Sequence, residues 1–95
     1  LIVRCEKITD LLSGSDFSGA SEQISEMSEF IDRKKLIFAS VLNHESIDEI
    51  ELCVSELQGY SDNKYLVEAL VRCKKLTHLF MHLPANYRVT MHNIL

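Results

Sequence analysis

Apolar residues recur every three or four positions along most of the chain, which is the spacing of one face of an α-helix. One stripe consists of Ile47, Ile50, Val54 and Leu57, and another runs from Leu66 to Phe80. Polar breaks predict turns near residues 13–18, 32–35, 43–45, 59–62 and 83–85. Because the connections are short, consecutive helices are expected to pack antiparallel. The pattern therefore predicts an all-α chain.

Two local signals refine the helix in the middle of the chain. Ser46 and Glu49 have the spacing of a capping box, in which each side chain bonds the backbone N–H of the other residue. Gly59 stands where a left-handed C-terminal cap is favourable, and Ser61-Asp62 offers an N-cap for the next helix. The sequence thus predicts a helix from about residue 46 to residue 58.

A nine-residue pattern occurs twice in the chain. Residues 3–11 read VRCEKITDL, and residues 71–79 read VRCKKLTHL. A supersecondary unit that recurs at intervals of roughly 20–50 residues is typical of a solenoid. The two copies are therefore predicted to be first helices of two helical hairpins that stack like on like.

A family resemblance rests on residues 8–16 with Ile24, Met27 and Phe30, and on Leu42-Asn43 with Ile50, Val54 and Leu57. In these positions the chain resembles armadillo- and HEAT-type helical repeats. The resemblance implies antiparallel helical hairpins stacked as a short solenoid, and a closed bundle of four or five helices fits the same pattern. It also implies a surface that binds other proteins.

Leucine-rich repeats are the alternative fold. The triplets Ile47-Ile50-Leu52 and Leu76-Leu79-Met81 fit the L-x-x-L-x-L strand of such repeats. On this interpretation the domain would be α/β, and its strands would form the recognition surface. The capping signal at Ser46 favours a helix instead.

Composition and charge exclude several classes of protein. A formal net charge of −4 argues against general nucleic-acid binding, which needs clustered cations. No apolar run approaches the roughly 20 residues that cross a bilayer. Three cysteines, an odd number, suit reduced thiols in a cytoplasmic or nuclear protein. We expect residues 1–95 to be one helical domain of a longer intracellular protein, since the chain opens at Leu1 within an apolar run.

The candidate chemistry is sparse. Cys73, His78 and His82 are spaced C-x4-H-x3-H, but a structural zinc site needs four ligands. Cys5 and Cys73 each follow an arginine, and a neighbouring cation can lower a thiol pKa. Both also lie on apolar stripes, where cysteine acts as a small hydrophobic residue. We therefore expect no enzymatic activity, no cofactor and no metal site.

Acidic residues are concentrated in residues 13–32 and 36–63, which contain no lysine or arginine. Second helices of stacked hairpins would present them as an acidic surface that attracts a basic peptide or protein segment. A solvated face that only keeps the protein soluble explains the same residues. The candidate partner-binding residues are Glu22, Glu26, Glu29, Asp48, Glu49 and Glu56.

The sequence therefore predicts a non-catalytic module for protein–protein interaction or scaffolding. Two alternatives fit the same residues. The chain could be a regulatory or structural domain of a larger enzyme whose active residues lie elsewhere, or a recognition segment built from leucine-rich repeats.

Overall fold

The computed structural model describes residues 1–83, which form five α-helices. The helices are α1 (Ile2–Ser13), α2 (Phe17–Arg33), α3 (Lys35–Val41), α4 (His44–Asp62) and α5 (Leu66–Met81). No strand occurs within residues 1–83, so the all-α prediction is confirmed. The leucine-rich alternative is wrong here, because both of its triplets lie inside α4 and α5. The sequence also allows a last helix that begins at Ala85, and this prediction lies outside the described residues.

Four helices form a closed ring of antiparallel neighbours. α1 packs against α2 and α5, and α4 packs against the same two helices. Ser21 on α2 contacts Ser61 on α4, and Ser25 contacts Gln58, so residue numbers rise along one helix and fall along the other. A stack of hairpins would keep the first helix away from the last. Since α1 and α5 are in contact, the fold is a four-helix bundle.

The short helix α3 lies in the connection between α2 and α4 and contacts both. The charged break at residues 32–35 is the turn that separates α2 from α3, as the sequence indicated. Phe38 packs partly against the core, but Leu36 is 87% exposed. α3 is therefore an outlying element, and the bundle core is formed by the other four helices.

The core lies where the apolar stripes of the four long helices meet. The predicted stripe on α4 is buried throughout, which confirms it. The apolar residues with no measurable exposure are Cys5, Ile8, Leu12, Ala20, Ile24, Met27, Leu57, Ala69, Cys73 and Leu76. Burial of this apolar surface is the main favourable contribution to folding.

The ends of α4 differ from the prediction. Asn43 is the N-cap, and its side chain accepts a hydrogen bond of 2.7 Å from the backbone N–H of Ser46, so the predicted capping box is wrong. α4 also continues through Gly59 to Asp62. Ser61 is fully buried there and shares a 2.8 Å hydrogen bond with Ser21 of α2. Contact with α2 therefore stabilises the last turn of α4. It does so although Gly59 lowers the stability of the helix by about 1 kcal/mol relative to alanine.

The α1–α2 and α4–α5 loops share one backbone geometry. Ser15 and Lys64 have positive φ angles of 60° and 62°. In each loop, the backbone N–H of the following residue donates to the carbonyl five positions earlier, over 2.8 Å. This is the Schellman arrangement, which normally has glycine at the left-handed position. Each loop therefore holds a side chain in a conformation that L-residues disfavour.

Lys64→Gly is expected to raise the free energy of unfolding by about 0.5–1 kcal/mol, because glycine adopts positive φ without strain from a Cβ atom. Urea denaturation followed by circular dichroism measures the change. Lys74→Gly is the matched control, since Lys74 is exposed within α5. There the same substitution should cost about 1 kcal/mol. A loss of stability in both variants would contradict the assigned loop geometry.

Candidate functional site between the first and last helices

The two copies of the nine-residue repeat face each other across the α1–α5 interface. Thr9 contacts Cys73, while Leu1 and Phe80 line one small apolar cavity, so the two helices run antiparallel. This packing brings one pair of equivalent repeat positions, Cys5 and Cys73, beside each other. The prediction that both copies are first helices of stacked hairpins is wrong, because α5 is the second helix of the α4–α5 pair and runs antiparallel to α1.

The thiols of Cys5 and Cys73 meet at the centre of this interface, and both are fully buried. The Cys73 Sγ lies 3.3 Å from the Cys5 carbonyl oxygen and 3.1 Å from the Thr9 hydroxyl. Thr9 and Thr77 occupy equivalent repeat positions, and each hydroxyl donates to the carbonyl four residues earlier, over 2.9 and 3.0 Å. The repeat thus forms a compact cluster of two thiols and two hydroxyls.

Hydrogen bonding and burial separate the acidities of the two thiols. The hydrogen bond with Cys73 and burial raise the pKa of Cys5 well above its ordinary value. Hydrogen bonds from Cys5 and, to a smaller extent, from Thr9 outweigh the opposing effect of burial and lower the pKa of Cys73 to about 7. The two thiols therefore titrate as a pair whose protons leave in two separate steps.

The third thiol has a different environment. Burial raises the pKa of Cys53, on α4, to about 11. Its S–H donates to the carbonyl oxygen of Arg72 over 3.3 Å. Cys53 is thus a neutral, buried thiol that bonds to backbone rather than to another cysteine.

The repeated arginines connect the α1–α5 pair to the other two helices. Arg4 forms a 2.7 Å ion pair with Glu26 of α2. Arg72 pairs with Glu56 of α4 at 3.2 Å, and its guanidinium lies 5.7 Å from the ring centre of Tyr60. Each arginine therefore extends to a neighbouring helix, where it balances a carboxylate.

An open groove of about 620 Å³ runs along the outer side of the α1–α5 pair. It is lined by Glu6, Thr9 and Asp10 of α1 and by Leu70, Lys74, Thr77, His78 and Met81 of α5. The α1 rim is acidic, and the α5 rim carries a lysine and a histidine. Met81 is 52% exposed, and Val67, one turn before Leu70, is 67% exposed. α5 therefore has apolar side chains outside the core as well as within it.

Four of the six acidic candidates lie beside a basic side chain or a histidine of the protein itself. Glu26 pairs with α1 and Glu56 pairs with α5, while the Glu49 carboxylate lies 3.9 Å from the Lys75 Nζ. Asp48 lies 3.5 Å from the His44 ring. Glu22 and Glu29 are exposed on α2, and neither has a salt bridge within residues 1–83. Binding of a basic partner by these residues stays a prediction.

The C-x4-H-x3-H residues also separate in the structure. Cys73 points into the bundle, whereas His78 and His82 are exposed and their ring centres lie 4.0 Å apart. Within residues 1–83, no three or more histidine, cysteine or carboxylate side chains are arranged to hold a metal ion. The same range includes no helix with the length and apolar character needed to cross a membrane.

Sequence reasoning missed both the thiol pair and the groove. The signal for the thiol pair was the repeat itself, since two copies of one motif on adjacent antiparallel helices bring equivalent positions together. The groove had a weaker signal, because Met81 lies outside the stripe that was assigned to the core, whereas Leu70 belongs to that stripe. Only the placement of α1 beside α5 makes them line a groove.

Neither a curated protein nor a solved structure matches the chain. Nothing in these comparisons indicates armadillo or HEAT repeats, so that resemblance stays untested by them. A family model described as a domain of unknown function, DUF4363, matches residues 1–94. Because the match covers almost the whole chain, this protein belongs to the DUF4363 family.

Proposed function

We propose that this protein is a non-catalytic interaction module that binds an amphipathic helix of another protein in the α1–α5 groove. The observation that carries the proposal is the groove itself, which combines the exposed Met81 and the half-buried Leu70 with two rims of opposite charge. Helix-in-groove binding is a recurrent mode of peptide recognition, in which apolar residues at helical spacing enter the groove.

The dimensions of the groove suit a short helix. α5 has 16 residues and, at 1.5 Å per residue, is about 24 Å long. A partner helix of similar length would lie along α1 and α5 and would cover Leu70 and Met81. Burial of such apolar surface supplies the affinity, at about 25 cal/mol for each Å² removed from water.

The charges of the rims define the partner further. Glu6 and Asp10 on α1 favour basic residues on the facing flank of the bound helix, and Lys74 on α5 favours acidic residues on the other flank. Complementary charges at the edge of an interface set specificity and orientation more than affinity. The partner is therefore an amphipathic helix with one basic and one acidic flank.

A fluorescent 16-residue helical peptide, with leucines on one face, lysines on one flank and glutamates on the other, is a direct probe. Fluorescence anisotropy should show that the protein binds it about three- to tenfold more tightly than peptides with two basic or two acidic flanks. Lys74→Glu makes both rims acidic and should shift the preference to the peptide with two basic flanks.

Met81→Glu should weaken binding of the mixed-flank peptide at least about tenfold, because it places a charge in the apolar groove. Leu52→Glu is the matched control, since Leu52 is exposed on α4 and does not line the groove. Equal affinity in both variants, or no binding of any peptide, would overturn the proposal. A dimer of the protein that only Met81→Glu dissociates would overturn it in favour of self-association.

A further inference from the structure

We propose that Cys5 and Cys73 are a reversible oxidation site, at which a hydroperoxide converts the two thiols into a disulfide that joins the first and last helices. The inference is independent of the groove's proposed binding function. It rests on the meeting of two thiols from opposite ends of the chain and on the small polar cluster that surrounds them.

The contacts place the two sulfurs as reaction partners. The Cys73 Sγ lies only 3.3 Å from the carbonyl oxygen of Cys5, and both cysteines are fully buried in the α1–α5 interface. Such an approach requires the backbones of α1 and α5 to be close at this point. The third thiol, Cys53, is engaged with backbone instead, since its S–H donates to the Arg72 carbonyl.

The polar neighbours favour reaction at Cys73. The Thr9 hydroxyl lies 3.1 Å from the Cys73 Sγ, and its single proton can turn from the Cys5 carbonyl to a thiolate at Cys73. Hydrogen bonds to an ionised sulfur favour its charged form, which is the nucleophile. Cys73 is therefore the thiol that ionises first, and Cys5 is the resolving thiol.

The buried pair also has a route to solvent. Thr9 and Thr77 line the outer groove, so the Cys73 sulfur lies one side chain below the surface. α1 begins without a side-chain cap, and Cys5 is in its first turn and a half. Uncapped helix ends open locally at low free-energy cost, which admits a small oxidant.

The chemistry balances with a hydroperoxide as the oxidant. The Cys73 thiolate attacks the outer oxygen, the O–O bond breaks, and a sulfenic acid and an alcohol are formed after proton uptake. The Cys5 sulfur then attacks the sulfenic sulfur, and water leaves with the Cys5 proton. Overall, two thiols and one hydroperoxide give one disulfide, one alcohol and one water, and a dithiol reductant restores the pair by exchange.

The test uses the full chain and hydrogen peroxide, for which the alcohol is a second water. Free thiols should fall from three to one, and proteolysis with mass spectrometry should recover Cys5 and Cys73 in one linked peptide. The melting temperature should rise by on the order of 10 °C, because the bond closes a loop of most of the chain. Dithiothreitol should reverse both changes.

Cys53→Ala is the control variant, and it should form the same disulfide with no free thiol remaining. Cys73→Ala should form none. Retention of all three thiols in the wild-type protein at a peroxide concentration that oxidises free cysteine would overturn the proposal. So would a linkage that includes Cys53, or oxidation that stops at sulfinic acid on a single cysteine. These outcomes are read directly on wild-type protein, so they do not depend on a variant's folding.

Discussion

Leu57→Ala is expected to lower the free energy of unfolding by about 3 kcal/mol, since it removes buried methyl groups and leaves a cavity. Leu57 has no exposed surface and lies in the core where α4 meets the rest of the bundle. For a domain of this size, the loss corresponds to a fall in melting temperature of roughly 12–20 °C. Urea denaturation and thermal melting both measure it.

Leu52→Ala provides the control on the same helix. Leu52 is 62% exposed, so its truncation should change stability by no more than about 0.5 kcal/mol. The contrast tests the orientation of α4 about its own axis. Similar losses in both variants, or a larger loss at Leu52, would mean that a different face of α4 meets the core.

Raising the pH above about 9 is expected to destabilise the protein through Cys53. Burial raises the folded-state pKa of this thiol from 9.0 to about 11. The folded state holds the thiol proton more tightly than the unfolded state does. The stabilisation that this thiol gives the folded state is therefore fully present below pH 9 and is lost as the pH rises towards 11. A difference of two pKa units corresponds to a loss of about 2 kcal/mol over this range.

The measurement compares melting temperatures of the wild-type protein and Cys53→Ala at pH 8 and at pH 10.5. Lysine and tyrosine titration affects both proteins equally. The difference between their changes in melting temperature from pH 8 to pH 10.5 therefore measures the effect of the Cys53 thiol. The variant should lose less stability than the wild type over this interval. An equal change in melting temperature in both proteins would contradict the neutral, buried state assigned to Cys53.

The sequence predicted the helices because their signal is local. The stripe from Ile47 to Leu57 needs only the 3.6-residue period to identify a buried face, and the structure buries it. The breaks at residues 13–18, 32–35 and 43–45 were also evident, since polar residues interrupt the stripes there. The end of α4 was missed because Gly59 is a local signal, whereas the buried Ser21–Ser61 contact that overrides it joins residues far apart in sequence.

What the sequence by itself determined is an all-α chain with known apolar faces. It did not determine which face meets which, because helices of similar length can bury the same stripes in an open stack or in a closed ring. The tertiary structure decided this by placing α1 against α5. That one contact brings Cys5 to Cys73 and forms the groove beside Met81. Both candidate sites depend on residues separated by most of the chain, and no local pattern specifies such a contact.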